Sequence, residues 1–221
     1  MEFGFIFDMD GVLVNSNPFH KIAWKNFLLA KGYPFTDELF DTVISGRTGN
    51  TTLGMIMDKE MPDRVVAGYL KEIDLEFRKI FGATEECIHF PGLYEFLEAI
   101  KSAGIKTALA TSAPTENVNQ AIEKLQLQDY FHVIIDKNDV SLGKPDPEVY
   151  LTTLARLGVS KDNCVVFEDS KAGVQSALGA GLRVVGISSS HTRKELMDEG
   201  VAMVIKDFTN LNLNEILNLE R

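Results

Sequence analysis

The chain has 221 residues, 45% hydrophobic and 24% charged, with 22 Lys and Arg against 32 Asp and Glu for a formal charge of −10. That length suits one large domain or a core with a smaller insert, and the composition excludes a disordered chain. The acidic balance, with no basic run, argues against a nucleic acid partner, and an anionic ligand then needs local positive charge from a metal or a well-placed lysine.

The first element is "FGFIF" (3–7), an apolar strand that runs into "DMDG". Residues 16–82 show no strand pattern. "FHKIAWKNFLLAKG" carries apolar residues at 22, 23, 27, 28 and 29, and "PDRVVAGYLKEIDLEFRKIFG" at 65, 66, 69, 70, 73, 77, 80 and 81. Both are helical spacings, and Gly32 and Gly82 read as helix stops. Trp24 and the insert's phenylalanines then form its core. From there strands and helices alternate. Strands are expected at 105–111, 132–136, 163–168, 182–187 and 202–205, and helices at 92–103, 115–126, 147–157, 171–179 and 193–199. Several strands lack polar alternation, which marks strands covered on both faces. The class is therefore α/β with a largely parallel, Rossmann-like sheet, interrupted by an all-helical insert.

No stretch approaches 18 apolar residues and no basic segment leads into an apolar one near the start, so neither a membrane span nor a secretory signal is expected. Cys87 and Cys164 lie outside any C-x-x-C pair and read as reduced thiols of a cytoplasmic protein.

In such sheets ligands bind beyond the carboxyl ends of the strands. Asp8 ends the first strand and Asp10 follows two residues on, so both side chains lean the same way in extended geometry, while Gly11 lets the chain turn. Adjacent carboxylates stay ionised together only around a cation; otherwise one holds a proton. Hard oxygen donors suit Mg²⁺. A lone D-x-D is more often a pair of solvated loop acids, and what separates the two readings is the apolar strand running into D-M-D-G-V-L. Thr111 ends the second strand, Lys144 sits in "GKPDP", and Glu168 and Asp169 end "CVVFE". Asp146 before Pro147 reads as a helix cap followed by a proline in the first turn.

"FDMDGVLVNS", "ALATS" (108–112), "GKPDPEVY" (143–150) and "VFEDSKAGVQSALGAG" (166–181) occur in this order, and together they resemble the four motifs of the haloacid dehalogenase-like (HAD) hydrolases. The insert resembles the four-helix cap of their β-phosphoglucomutase-like branch. The resemblance implies a core of residues 1–14 and 83–221 with a cap over 15–82. It implies that Asp8 is a nucleophile forming an aspartyl-phosphate, and that Asp10 is the general acid and then base, giving also a backbone carbonyl to the metal. Thr111 and the Ser112 backbone bind the phosphoryl group with Lys144. Mg²⁺ is held by Asp8, Asp10, Asp169 and Glu168, the last directly or through water. The cap implies substrate contacts at His20 and Arg47, against their readings as a structural histidine and a surface arginine. A Mg²⁺-dependent phosphatase of a small phosphorylated metabolite, a sugar phosphate first, is expected, acting as a monomer without membrane or nucleic acid. Two alternatives follow from the same branch. A phosphosugar mutase is disfavoured by Gly49 at the place of an expected arginine, and an inorganic pyrophosphatase by Ser45 at the place of an expected acid.

Overall fold

The computed structural model describes residues 2–44, 49–57, 61–86 and 88–219. The chain divides into two compact units, Met1–Asn15 with Ile88–Arg221, and Ser16–Cys87.

The first unit is built on six parallel strands: β1 (Gly4–Phe7), β2 (Lys106–Ala110), β3 (Val133–Ile135), β4 (Cys164–Glu168), β5 (Arg183–Ile187) and β6 (Met203–Ile205), in spatial order β3-β2-β1-β4-β5-β6. All six match the expected strands to within two residues. β1 and β4 are buried along their whole length, as strands covered on both faces must be. Alternation splits β1 between two cores. Ile6 packs with Ala108, Val166 and Val184 under the helices α7 (Glu148–Leu157), α8 (Lys171–Gly179) and α9 (Arg193–Asp198). Phe5 and Phe7 turn to the opposite face and meet Phe96 of α5 (Leu93–Ser102), Phe167 and Phe208. Helix α6 (Thr115–Lys124) links β2 to β3, and α10 (Leu213–Leu217) follows β6. β2 and β3 lie on one side of β1 and β4 to β6 on the other, so chain direction across the sheet reverses between β1 and β4. That reversal opens the crevice where α/β sheets bind ligands.

The described part of the second unit is helical: α1 (Asn17–Ala30), α2 (Asp37–Leu39) leading into a π-helical turn over Phe40–Ile44, α3 (Gly49–Met57) and α4 (Asp63–Ala83). Thr36 caps α2 through the Leu39 amide. Helices α1 and α4 pack through Trp24, Phe27, Leu28, Ile73, Phe77 and Phe81, the core expected from the sequence. Lys31 adds an ion pair to Glu72 at 2.8 Å and lies over the Tyr69 ring. Gly32 follows α1 as expected. Gly82 does not stop α4, which runs on to Ala83 and ends where Thr84 turns extended. An exposed glycine near a helix end costs only about 1 kcal/mol, which the buried Phe77 and Phe81 outweigh. Among the described residues no helix is long and apolar enough to cross a membrane.

Candidate active site

Parallel register sets Phe7 of β1 beside Phe167 of β4, and the Asp8 amide donates to the Phe167 carbonyl at 3.0 Å. The two strands therefore end side by side at the reversal point, one in Asp8 and the other in Glu168 and Asp169. All three carboxylates are buried, with ligand oxygens within 4.8 Å of one another. The Asp10 side chain is not a member of that cluster, although it follows on the same loop.

Lys144, itself buried, reaches the cluster from the loop before α7. Its Nζ donates to Asp8 Oδ1 at 2.6 Å, to Glu168 Oε1 at 2.7 Å and to the Ala110 carbonyl at 3.2 Å. The Lys144–Pro145 peptide is cis. Pro147, not Asp146, takes the cap position of α7, and Glu148 is the first helical residue. The Asp146 carboxylate still accepts from the Glu148 amide at 2.9 Å, so the expected cap acts one residue earlier than placed.

Glu168 is filled on both oxygens. Oε1 accepts from Lys144 and from the Tyr150 hydroxyl at 2.9 Å; Oε2 accepts from the amides of Asp169 and Ser170 and from Ser170 Oγ. Burial pushes its carboxyl upward, but Lys144, Ser170 and Tyr150 together hold it below the usual range. Asp8 moves the other way. Burial is the largest cause, and Glu168, Asp169 and Asp10 repel its charge, so its carboxyl lies well above the ordinary value despite Lys144. Asp169 is pushed up to about 7, by burial first and then by Glu168. Burial opposes the Lys144 charge, yet Asp8 and Glu168 outweigh it and raise its pKa. One lysine thus satisfies Glu168 and leaves Asp8 and Asp169 short of positive charge. Buried, oxygen-only and under-neutralised, that pair fits a hard divalent cation such as Mg²⁺. Two glycines make room for the acids. Gly11 has φ +79°, and a methyl group there would overlap the Asp169 carboxylate; one at Gly173 would overlap Glu168.

Thr111 is buried at the end of β2, where its amide donates to the Ile135 carbonyl and its hydroxyl accepts from the Ala113 amide at 3.1 Å. Ser112 beside it is exposed. His20, in α1, stacks its ring on Phe77 at 4.0 Å, a packing contact within the helical unit. Arg47, Ser45 and Cys87 lie outside the described residues. The sequence reading gave no role to Tyr150, which holds Glu168, or to Ser189 and Ser190, whose hydroxyls lie against Asp169 Oδ2. The serines had a signal, since three of them follow directly on the carboxyl end of β5, whereas Tyr150 shows only a place on the buried face of α7.

A family model described as haloacid dehalogenase-like hydrolase matches residues 5–187. A phosphorylated carbohydrates phosphatase of Thermotoga maritima is 36% identical over 215 residues, covering 96% of this chain and 98% of that one. A β-phosphoglucomutase of Bacillus subtilis is 28% identical over 242 residues, covering 97% and 93%. Among solved structures, a HAD hydrolase of family IA, variant 3, from Entamoeba histolytica superposes with a TM-score of 0.91 at 31% identity, covering 99% of each chain. With the acids, the lysine and the sheet reversal in the order the motifs require, the chain belongs to the haloacid dehalogenase-like hydrolase family.

Proposed function

We propose that this enzyme is a Mg²⁺-dependent phosphatase of small phosphorylated carbohydrates, working through an aspartyl-phosphate on Asp8. The observation that carries the reading is the placement of Asp8 beside Lys144 and Asp169 at the sheet reversal, where the lysine and a bound cation would offer an anionic phosphoryl group positive charge. Asp8, Asp169 and the backbone carbonyl of Asp10 would hold Mg²⁺, with Glu168 behind them, since its oxygens already accept five hydrogen bonds. Bound there, the ion would supply positive charge to neutralise the phosphoryl oxygens.

The residues do the rest. An Asp8 oxygen attacks phosphorus, the ester P–O bond breaks, and Asp10 gives its proton to the leaving alcohol oxygen. Water then attacks the aspartyl-phosphate, Asp10 takes the proton, and the bond from phosphorus to Asp8 breaks to release phosphate. Thr111, the Ser112 amide and Lys144 orient the group throughout. The helical unit is read as the substrate-choosing cap, with His20 and Arg47 as residues to test there. The 36% identity to a carbohydrate phosphatase, against 28% to a mutase, supports water as the acceptor.

The test is phosphate release with Mg²⁺ from a panel of hexose, pentose and glycerol phosphates, nucleotides and pyrophosphate, beside Asp8→Asn. Release from several sugar phosphates that vanishes in the variant is expected. Conversion of β-glucose 1-phosphate to glucose 6-phosphate with little release overturns the reading in favour of a mutase.

A further inference from the structure

The loop from β5 to α9 holds Asp169 by groups that the proposed chemistry does not use. Ser190 Oγ donates to Asp169 Oδ2. Ser189 Oγ lies 3.1 Å from the same oxygen and 2.6 Å from the carbonyl of Gly11, the residue after Asp10. A hydroxyl has one proton to give. Ser189 therefore donates to the nearer Gly11 carbonyl, and Ser190 is the donor to Asp169. His191 brings its ring Nδ1 to 3.1 Å from the Asp169 main-chain carbonyl. The far end of the loop is fixed as well. Thr192 and Glu195 cap α9 reciprocally, and Glu195 pairs at 3.2 Å with Lys171, the first residue of α8. One short loop thus touches both walls of the acidic cluster, the turn after β1 and the turn after β4.

We propose that Ser189 and Ser190 are positioning residues that set the enzyme's affinity for its divalent cation. Ser190 fixes the Asp169 carboxylate through Oδ2, and Ser189 locks the Gly11 turn against it. Groups that hydrogen-bond a metal-ligating carboxylate orient it and so contribute to metal affinity. The inference rests on reading Asp8 and Asp169 as a Mg²⁺ site, and not on which phosphorylated compound is turned over.

The experiment is calorimetric titration of the full chain with MgCl₂ alone, without substrate. Ser189→Ala/Ser190→Ala is expected to weaken the Mg²⁺ dissociation constant by about 10- to 100-fold, the usual cost of losing such partners. Ser190→Thr, which keeps the hydroxyl, is expected to stay close to wild type, and Asp169→Asn to bind no Mg²⁺. Metal-free unfolding temperatures read alongside show whether the variants fold, and because Ser189 is exposed and Ser190 half-buried they are expected to match wild type. An unchanged dissociation constant in the double variant overturns the proposal, and so does a wild type that binds no Mg²⁺. A wild type that binds Mg²⁺ but hydrolyses no phosphate ester sinks the proposed function and leaves this inference standing.

Discussion

The Lys144 ammonium has three N–H donors, and Asp8, Glu168 and the Ala110 carbonyl take all three. Lys144→Met keeps most of the stem and removes the charge, leaving Glu168 ionised in a buried place. Breaking a buried pair from one side costs about 3–5 kcal/mol, and because Tyr150 and the Ser170 turn still serve Glu168, the lower end of about 3 kcal/mol is expected. A urea midpoint at pH 7 equal to wild type would refute this. The pH dependence has a definite sign. Glu168 is held below its ordinary 4.5, so its share of the pair is present above 4.5 and is lost as pH falls through the folded value. Lys144 is held above 10.5, so its share is present below 10.5 and is lost as pH rises through its folded value. The advantage of wild type over the variant therefore shrinks at both extremes. Lys144 was legible because "GKPDP" is a stiff, motif-bearing loop. Tyr150 was not, because nothing in a helical pattern says which buried side chain has its hydroxyl against a carboxylate arriving from another strand.

Helices α8 and α4 each contain a glycine whose replacement by alanine looks favourable from propensity alone, by about 1 kcal/mol. Only the surroundings decide the sign. At Gly173 in α8 the added methyl overlaps the Glu168 carboxylate that β4 delivers, and overpacking of about 1–3 kcal/mol exceeds the gain. At Gly68 in α4, which is exposed, an added methyl meets nothing within 4 Å among the described residues beyond its chain neighbours and the helix's own backbone. Thermal unfolding is expected to fall for Gly173→Ala and to rise for Gly68→Ala. A rise for both would mean that Glu168 yields easily and that the close packing of α8 on the acid is unimportant. Element type and position were readable here, since apolar periodicity is a local property. Helix ends were less so. Gly82 has the chemistry of a stop, yet α4 passes through it, because the stop comes from Thr84 turning extended after Phe77 and Phe81 have fixed the last turns in the core.

The sheet is held on one face by an aromatic cluster drawn from four distant parts of the chain. Phe208 lies 5.5 Å from Phe96, 6.0 Å from Phe167 and 6.3 Å from Phe7, ring centre to ring centre. Its amide donates to the Pro91 carbonyl at 2.9 Å, and its backbone runs so close to Gly92 that a side chain there would collide with it. Phe5 and Phe7 could be read as strand residues from their neighbours. Phe208 could not, because it is the single aromatic in "KDFTNLN", a mostly polar stretch after β6, and only the folded sheet shows where it goes. Phe7 and Phe167 are also the residues immediately before Asp8 and Glu168, so the cluster underlies the strand ends that carry the site. Phe208→Ala is expected to cost about 3–5 kcal/mol in unfolding free energy, as removal of a core aromatic does. Phe208→Leu, which keeps most of the volume, is expected to cost less than about 1.5 kcal/mol. Denaturant unfolding of the two variants separates filling a hole from merely covering a surface. If both lose the same small amount, the segment after β6 only shields the sheet. If alanine loses several times more than leucine, that segment is part of the core on which the β1 and β4 ends rest.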